Sequence, residues 1–373
     1  PEGTTKIGKY AFAGTALTSV TIPSSVTSIG TGAFSGCTSI ASITVPANMN
    51  VASVFGDSKT KIASVTMTGT GTVPSSAYAG CTALKRVNVE SLSDWLELSF
   101  SNAASNPLAT GAKLYVGGVE LTSLVIPEGT MEIGDHAFAG GAFTSVTIPS
   151  SVTQIPPTAF QNCNSLTRVN VASLADWFMM DSGSRAACLQ ASGAQVYVGG
   201  QSLSGAPNVG GCRIVDGWVV GYDNRNARSV TVPDGVVGIA NRAFADMWDL
   251  ETVSLPSSLT YILDGAFAGC SYLDDLVIPD GVERIGAYLF YGRTDGSYSV
   301  VLPESVKEIG TMSLPYRMDS LTLPASLEKI DAYVFYDGIS IDNIYYNGTA
   351  ADWEKITIGD GNTALDSAVI HMT

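Results

Sequence analysis

A chain of 373 residues, 45% apolar and only 14% charged, has the material for a sizeable core. Its 19 Lys and Arg against 34 Asp and Glu leave a net charge of −15. That argues against nucleic acid, whose phosphates need a basic surface, and against an anionic membrane; no apolar run approaches the ~20 residues that span a bilayer.

No signal peptide is visible, and the chain opens at Pro1 in mid-phrase. It reads as a piece of a longer protein, with targeting and anchoring segments expected outside it. The charge is uneven: residues from 191 onward hold 23 acidic and 10 basic side chains, those before hold 11 and 9. An acidic half of this kind reads first as a solubility device, and more sharply as a face for a cationic partner.

The first predicted elements lie in "LTSVTIPSSVTSIGTGAFSGCTSI", residues 17–40. "LTSVTIP" alternates, so Val20 and Ile22 are expected inward and Ser19 and Thr21 outward on a short strand. Pro23 ends that strand because it donates no ladder hydrogen bond. "SVTSIG" predicts a second extended piece, with Val26 and Ile29 inward and a turn at Gly30. "GAFSGC" then brings Phe34 inward and turns at Gly36.

The phrase recurs along the chain. Its proline returns at Pro46, Pro127, Pro149, Pro233, Pro256, Pro279, Pro303 and Pro324, with degenerate copies in "VTMT", "VNVE", "VNVA", "IYYN" and "VIHM". The spacing of about 21–24 residues lies in the leucine-rich-repeat range. One coil cannot bury its own apolar residues, whereas stacked coils can, and about a dozen would span roughly 60 Å. Phe12, Phe34, Tyr78, Phe138, Phe160, Phe244, Phe267, Phe290 and Phe335 mark the expected core stripe.

Three stretches break the phrase: "SLSDWLELSF", "SLADWFMMDS" and "TAADWEKITI". Ser91, Ser173 and Thr349 are expected helix N-caps, and Trp95, Trp177 and Trp353 are expected to plug the core. "KLYVGGVEL" and "QVYVGGQSL" follow the first two, with Gly117-Gly118 and Gly199-Gly200 as hairpin turns; Asp216-Gly217 is a third such turn. The predicted organisation is a repeat block over 1–172 with an interruption at 91–122, an irregular insertion with hairpins over 173–231, and a second block over 232–373.

"IPSSVTSIGTGAFSGCTSI", "IPPTAFQNCNSLTRV", "LPSSLTYILDGAFAGCSYLDDLVIP" and "IPDGVERIGAYLF" resemble the BspA-type leucine-rich repeat. The resemblance covers most of the chain. It implies a repeat solenoid, β-rich, wound as a right-handed superhelix with a concave parallel sheet, short helical turns and inserted hairpins. It further implies a bacterial protein that is surface-exposed or secreted and engaged in adhesion. Its partner would then be an extracellular protein or a glycan, without nucleic acid or a membrane span in this piece.

Chemistry-bearing residues are sparse. Cys37, Cys81, Cys163 and Cys270 share one repeat position and read as buried fillers. Cys188 and Cys212 lie off the repeat and are the pair that an oxidising compartment could bridge. The two histidines, His136 and His371, are far apart in the array, and no nucleophile elbow, phosphate loop or zinc spacing occurs. No enzyme and no cofactor is expected.

The outward strand positions form a Ser/Thr ladder, which suits a solvated sheet. Arg86, Arg168, Asp275 and Tyr345 interrupt it. Arg86 and Arg168 stand on the strands that precede interruptions. With Trp218 of the irregular segment and Tyr345, they are the candidate binding residues, and the loop 181–208 is the candidate contact loop. A passive spacer that presents a flanking domain is the alternative.

Overall fold

The computed structural model describes residues 3–180, 185, 193–273, 275–291, 299–336 and 339–372. They form a β-rich repeat fold with short helices, divided into two compact units, Pro1–Gly200 and Gln201–Thr373. The border falls inside the irregular segment 173–231.

In the first unit the apolar-Pro phrases pair side by side. The strands Ser19–Thr21, Ser42–Pro46, Ser64–Thr68, Arg86–Val89 and Lys113–Val116 follow in that order, all parallel. Ser19, Ser42, Ser64, Arg86 and Lys113 stand in one register row. The alternation buries Ile43, Val65, Val87 and Leu114 and turns the Ser/Thr/Arg row outward. Gly117 and Gly118, both at positive φ, turn the chain into the antiparallel strand Val119–Glu120. A second parallel set runs Ser123–Val125, Ser145–Ile148, Arg168–Val171 and Gln195–Val198.

The second unit opens on a hairpin. Cys212–Val215 and Trp218–Tyr222 pair antiparallel across Asp216 and Gly217, at φ 52° and 73°, the double positive φ of a type I′ turn. Trp218–Tyr222 then pairs in parallel with Gly238–Ile239. From there the second extended piece of each phrase continues the ladder through Tyr261–Ile262, Arg284–Ile285, Glu308–Ile309, Lys329–Ile330 and Thr357–Ile358. The hairpin thus covers one edge of a parallel ladder that would otherwise be unpaired. The first-piece strands form two further parallel groups. One holds Ser229–Thr231, Thr252–Ser254 and Asp275–Leu276; the other holds Ser299–Val301, Arg317–Leu323, Ser340–Tyr346 and Val369–Met372.

The core stripe stacks as the repeat demands. Phe12, Phe34 and Phe55 lie ring on ring at 5.1 Å, Phe138 on Phe160 at 5.4 Å, and Phe244 on Phe267 at 5.3 Å. Phe55 escapes the sequence phrase because Asn50 caps a short helix, Val51–Phe55, that replaces an extended piece. Phe12 is 42% exposed. The repeat cysteines do more than fill space: the thiols of Cys37, Cys163 and Cys270 donate to the carbonyls of Phe12, Phe138 and Phe244, one coil earlier.

One turn position, two residues before the core aromatic, sits in the left-handed region in coil after coil. Tyr10, His136, Arg242, Tyr288, Met312 and Tyr333 occupy it with φ between 49° and 60°, and Gly32 and Gly265 occupy it in other coils. A side chain there costs roughly 1 kcal/mol against glycine. The backbone ladder between coils holds the conformation: Arg242 N–H donates to Asp264 O and Tyr288 N–H to Thr311 O.

The interruptions carry their predicted caps. Ser91, Ser173 and Thr349 each accept a hydrogen bond from the N3 amide, and Asp94 and Asp352 return the bond to complete capping boxes. Trp95 and Trp177 are buried. Trp353 is only half-buried and stands edge-on to Tyr346, because the helix Ala350–Trp353 buries no residue. Two buried asparagines supply what a missing coil would. Asn106 donates to the carbonyls of His136 and Ala137 and accepts from Leu108 N–H. Asn362 accepts from Phe335 N–H at 2.7 Å and donates to Asp331 and Gly359 carbonyls.

Candidate binding surface

Arg86 and Asn88 share the outward face of their strand, since Val87 and Val89 between and after them point into the core. The Arg86 guanidinium lies 3.8 Å from the ring centroid of Tyr115 on the next strand. Its Nε donates to Asn88 Oδ1 at 2.6 Å and its Nη2 to Gly118 O at 3.2 Å. Asn88 is held in turn, donating to Val65 O and Ser64 Oγ. Tyr115 is pinned by Glu120, which accepts from its hydroxyl at 2.9 Å and from Lys113 Nζ at 2.6 Å. The hydrogen bond from Lys113 and that from Tyr115 hold the Glu120 carboxyl below its ordinary range; the bond to Glu120 raises the Tyr115 phenol, which stays neutral.

Arg168 repeats the arrangement. Its guanidinium lies 3.8 Å from the Tyr197 centroid, its Nε donates to Asn170 Oδ1 at 2.7 Å, and Asn170 donates to Val146 O and Thr147 Oγ1. The same sequence spacing separates Arg86 from Arg168, Asn88 from Asn170, Tyr115 from Tyr197 and Trp95 from Trp177. The two modules differ at their rims, where Lys113 and Glu120 in the first correspond to Gln195 and Ser202 in the second.

Each arginine is therefore a cation oriented by an aromatic face and an asparagine, a geometry that favours Arg over Lys. Neither has a carboxylate partner among the described residues. In a protein of net charge −15, both guanidiniums are half-buried and keep N–H groups beyond those used on Asn88, Gly118 and Asn170. Sequence reasoning found the two arginines and missed their tyrosines. The signal was present, as Tyr at one offset in "LYVGG" and "VYVGG".

The other sequence candidates separate. Trp218 is buried rather than on the surface: it is 1% exposed, stacked on Tyr261 at 5.4 Å, and it fills the space over Gly238, where a Cβ would meet the indole at 2.4 Å. Tyr345 is on the surface, 37% exposed, stacked on His371, whose Nε2 lies 3.0 Å from Asn343 Oδ1. Tyr345 and the arginine modules belong to different units. Cys212 is a fully buried free thiol, pushed up to about 11 by burial. Its sequence-predicted partner, Cys188, lies outside the described residues, as does much of the loop 181–208. No group of His, Cys, Asp and Glu among the described residues could hold a metal ion, and no described helix is long and apolar enough to cross a membrane.

A model of the BspA type leucine rich repeat region, in six copies, matches residues 5–110, 109–178, 222–317 and 313–357. The chain belongs to the BspA-type leucine-rich repeat family. The gap in that match, 179–221, coincides with most of the irregular segment. The BspA-type family is a repeat family, not one defined by an enzymatic activity. Among solved structures the chain is similar to a leucine rich cell surface protein from Faecalibacterium prausnitzii, at 21% identity over 95% of this chain and 86% of that one, with a TM-score of 0.36. It is similar to the pneumococcal vaccine antigen PcpA, at 18% identity over 99% and 84%, TM-score 0.34. A leucine-rich repeat protein from Bacteroides ovatus matches at 19% identity over 99% and 87%, TM-score 0.30. No curated protein matches the chain.

Proposed function

We propose that this BspA-type chain is a non-catalytic binding protein of the bacterial cell surface or exterior, which adheres to an extracellular protein or glycan through the outward strand face of its first unit. The observation that carries the reading is the pair of arginines, each laid on a tyrosine and each without a carboxylate partner among the described residues. In this reading each coil is a right-handed crossover, the hand that parallel strands strongly prefer, and the sheets carrying Arg86 and Arg168 lie on the concave side. The segment 173–231, with its hairpins and the loop 181–208, serves as a junction of the blocks 1–172 and 232–373 and as a secondary contact.

A pre-oriented guanidinium on a neutral Ser/Thr face selects a ligand carboxylate, sulfate or similar anion, and it does so with little rotamer entropy left to lose. Single contacts of this kind are weak. Two copies of one module suit a partner that presents acidic groups repeatedly. The test is binding of the multivalently displayed chain to an array of extracellular-matrix proteins and mucin-type glycans at two salt concentrations. A reproducible, salt-sensitive hit lost on Arg86→Ala with Arg168→Ala supports the proposal; affinity unchanged in that double variant sinks it.

A spacer role is the second reading, favoured by the self-satisfied polar face. Ser123 and Ser145 pair their hydroxyls at 2.7 Å and Ser320 donates to Ser299 at 3.0 Å, so these rows need no partner. Binding carried only by a flanking domain of a longer protein would favour it.

A further inference from the structure

The left-handed turn position of the second unit carries Arg242, Gly265 and Tyr288 in three successive coils. Gly265 leaves a notch in that row. Arg242 closes one side of it, its Cγ 3.4 Å from where a Gly265 Cβ would stand. Tyr288 closes the other, and Tyr291 stands at right angles to Tyr288, ring centroids 5.8 Å apart. Both tyrosines are exposed, 42% and 48%. The result is a cleft of about 510 Å³ floored by Gly265, with an aromatic corner and the polar side chains of Asn241, Arg242 and Asp264 along its wall.

Several features point to one ligand chemistry. Tyr288 and Tyr291 both present exposed rings to the cleft, next to a coil whose corresponding turn residue is glycine. Perpendicular aromatic faces offer flat apolar walls to the C–H face and edge of a pyranose ring. The Asn241 amide has no hydrogen-bond partner among the described residues, and Asp264 uses one carboxylate oxygen on Ala287 N–H, so a donor–acceptor amide and a spare carboxylate oxygen remain for hydroxyls. The charge pattern disfavours an anionic sugar. Arg242 is committed to Asp246 at 2.9 Å, and Asp264 then leaves the cleft negative. The volume falls within the about 300–1,000 Å³ of ligand pockets.

We propose that the Gly265 cleft is a binding site for a neutral hexopyranose, stacked in the corner of Tyr288 and Tyr291 and hydrogen-bonded by Asn241 and Asp264. It lies in a different unit from the arginine modules and does not depend on them.

The row itself supplies the test. Because Arg, Tyr and Met already occupy this turn position in other coils, Gly265→Tyr should be tolerated by the fold while filling the cleft. Tyr288→Ala removes the aromatic wall and leaves the cleft open. The whole chain and both variants, with native-like thermal melts, are tested on an array of neutral hexose and N-acetylhexosamine glycans beside their sialylated and sulfated counterparts. The expected result is binding to a subset of neutral glycans that falls at least tenfold in both variants. Should Gly265→Tyr fail to fold, the Tyr288→Ala result decides alone. No neutral-glycan binding by the folded chain, equal binding by Tyr288→Ala, or preference for sialylated and sulfated glycans would each overturn the site. Binding to proteins without neutral glycans would overturn this site and leave the arginine surface standing.

Discussion

Regular coils and interruptions satisfy the same buried backbone groups with different atoms. In a regular coil the amide of the core aromatic donates to a carbonyl of the next coil, as Phe34 does to Val54, Phe138 to Ala159 and Phe244 to Ala266. Where the array breaks, a side chain takes over: Phe335 N–H donates to Asn362 Oδ1, and Ala137 O accepts from Asn106 Nδ2 and Trp95 Nε1. A repeat can stop or pause only if some side chain completes the hydrogen bonds of the absent neighbour. The regular coils are thus held by many interchangeable contacts, and the interruptions by a few particular residues.

That contrast can be broken from either side. The largest expected loss is in a regular coil: Phe244→Ala removes a fully buried ring stacked on Phe267 and tilted against Tyr222, and should cost about 3–5 kcal/mol. Denaturant unfolding of the chain would show it as a lowered midpoint. Asn362→Ala strands the buried Phe335 amide and should cost about 2–3 kcal/mol despite deleting few atoms. Asn362→Asp restores the acceptor but not the donor and should fall between. If Asn362→Ala costs no more than an exposed substitution, the replacement of backbone by side chain has no energetic weight.

The caps come next. Ser173→Ala should cost about 1 kcal/mol, read as a small shift in the same unfolding midpoint. The capping box of the last helix adds a pH signature. Asp352 is held down to about 2, chiefly by its hydrogen bond from Lys355 and then by those from Thr349. A carboxyl depressed in the folded state contributes stability that is fully present above its unfolded value near 4 and is lost as pH falls toward 2. Thr349→Ala should weaken that acid-side loss, monitored by melts between pH 5 and 2.

The smallest expected effect on the fold is chemical. Burial pushes the thiols of Cys81, Cys163 and Cys212 up to about 11, so they are poor nucleophiles at neutral pH. A Cys188→Ala chain should show no fast reaction with a thiol reagent when native and five reactive thiols when denatured under reduction.

Much of this was legible in the sequence. Phase and direction of the strands follow from the phrase alone, because a period of alternation ended by Pro admits one register. The caps at Ser91, Ser173 and Thr349 were equally plain. What stayed hidden is what depends on the next coil. Phe55 follows a helix written in place of a strand, Asn106 and Asn362 look like ordinary loop residues, and Trp218 looks exposed until Gly238 is seen to make room for it. The arginines were visible as breaks in a Ser/Thr ladder, but the tyrosines beneath them lie a whole coil away in sequence. The Gly265 notch reads as a turn glycine unless the row it interrupts is laid out coil by coil.

The central functional claim is that two equivalent arginine modules carry binding. Its most direct test is the affinity of four folded chains for the strongest protein or glycan hit: wild type, Arg86→Ala, Arg168→Ala and the double variant, each at low and high salt. The account predicts a severalfold loss in each single variant, a larger loss in the double, and a weaker salt dependence as each guanidinium is removed. A double variant that binds as the wild type does, with the same salt dependence, would contradict it.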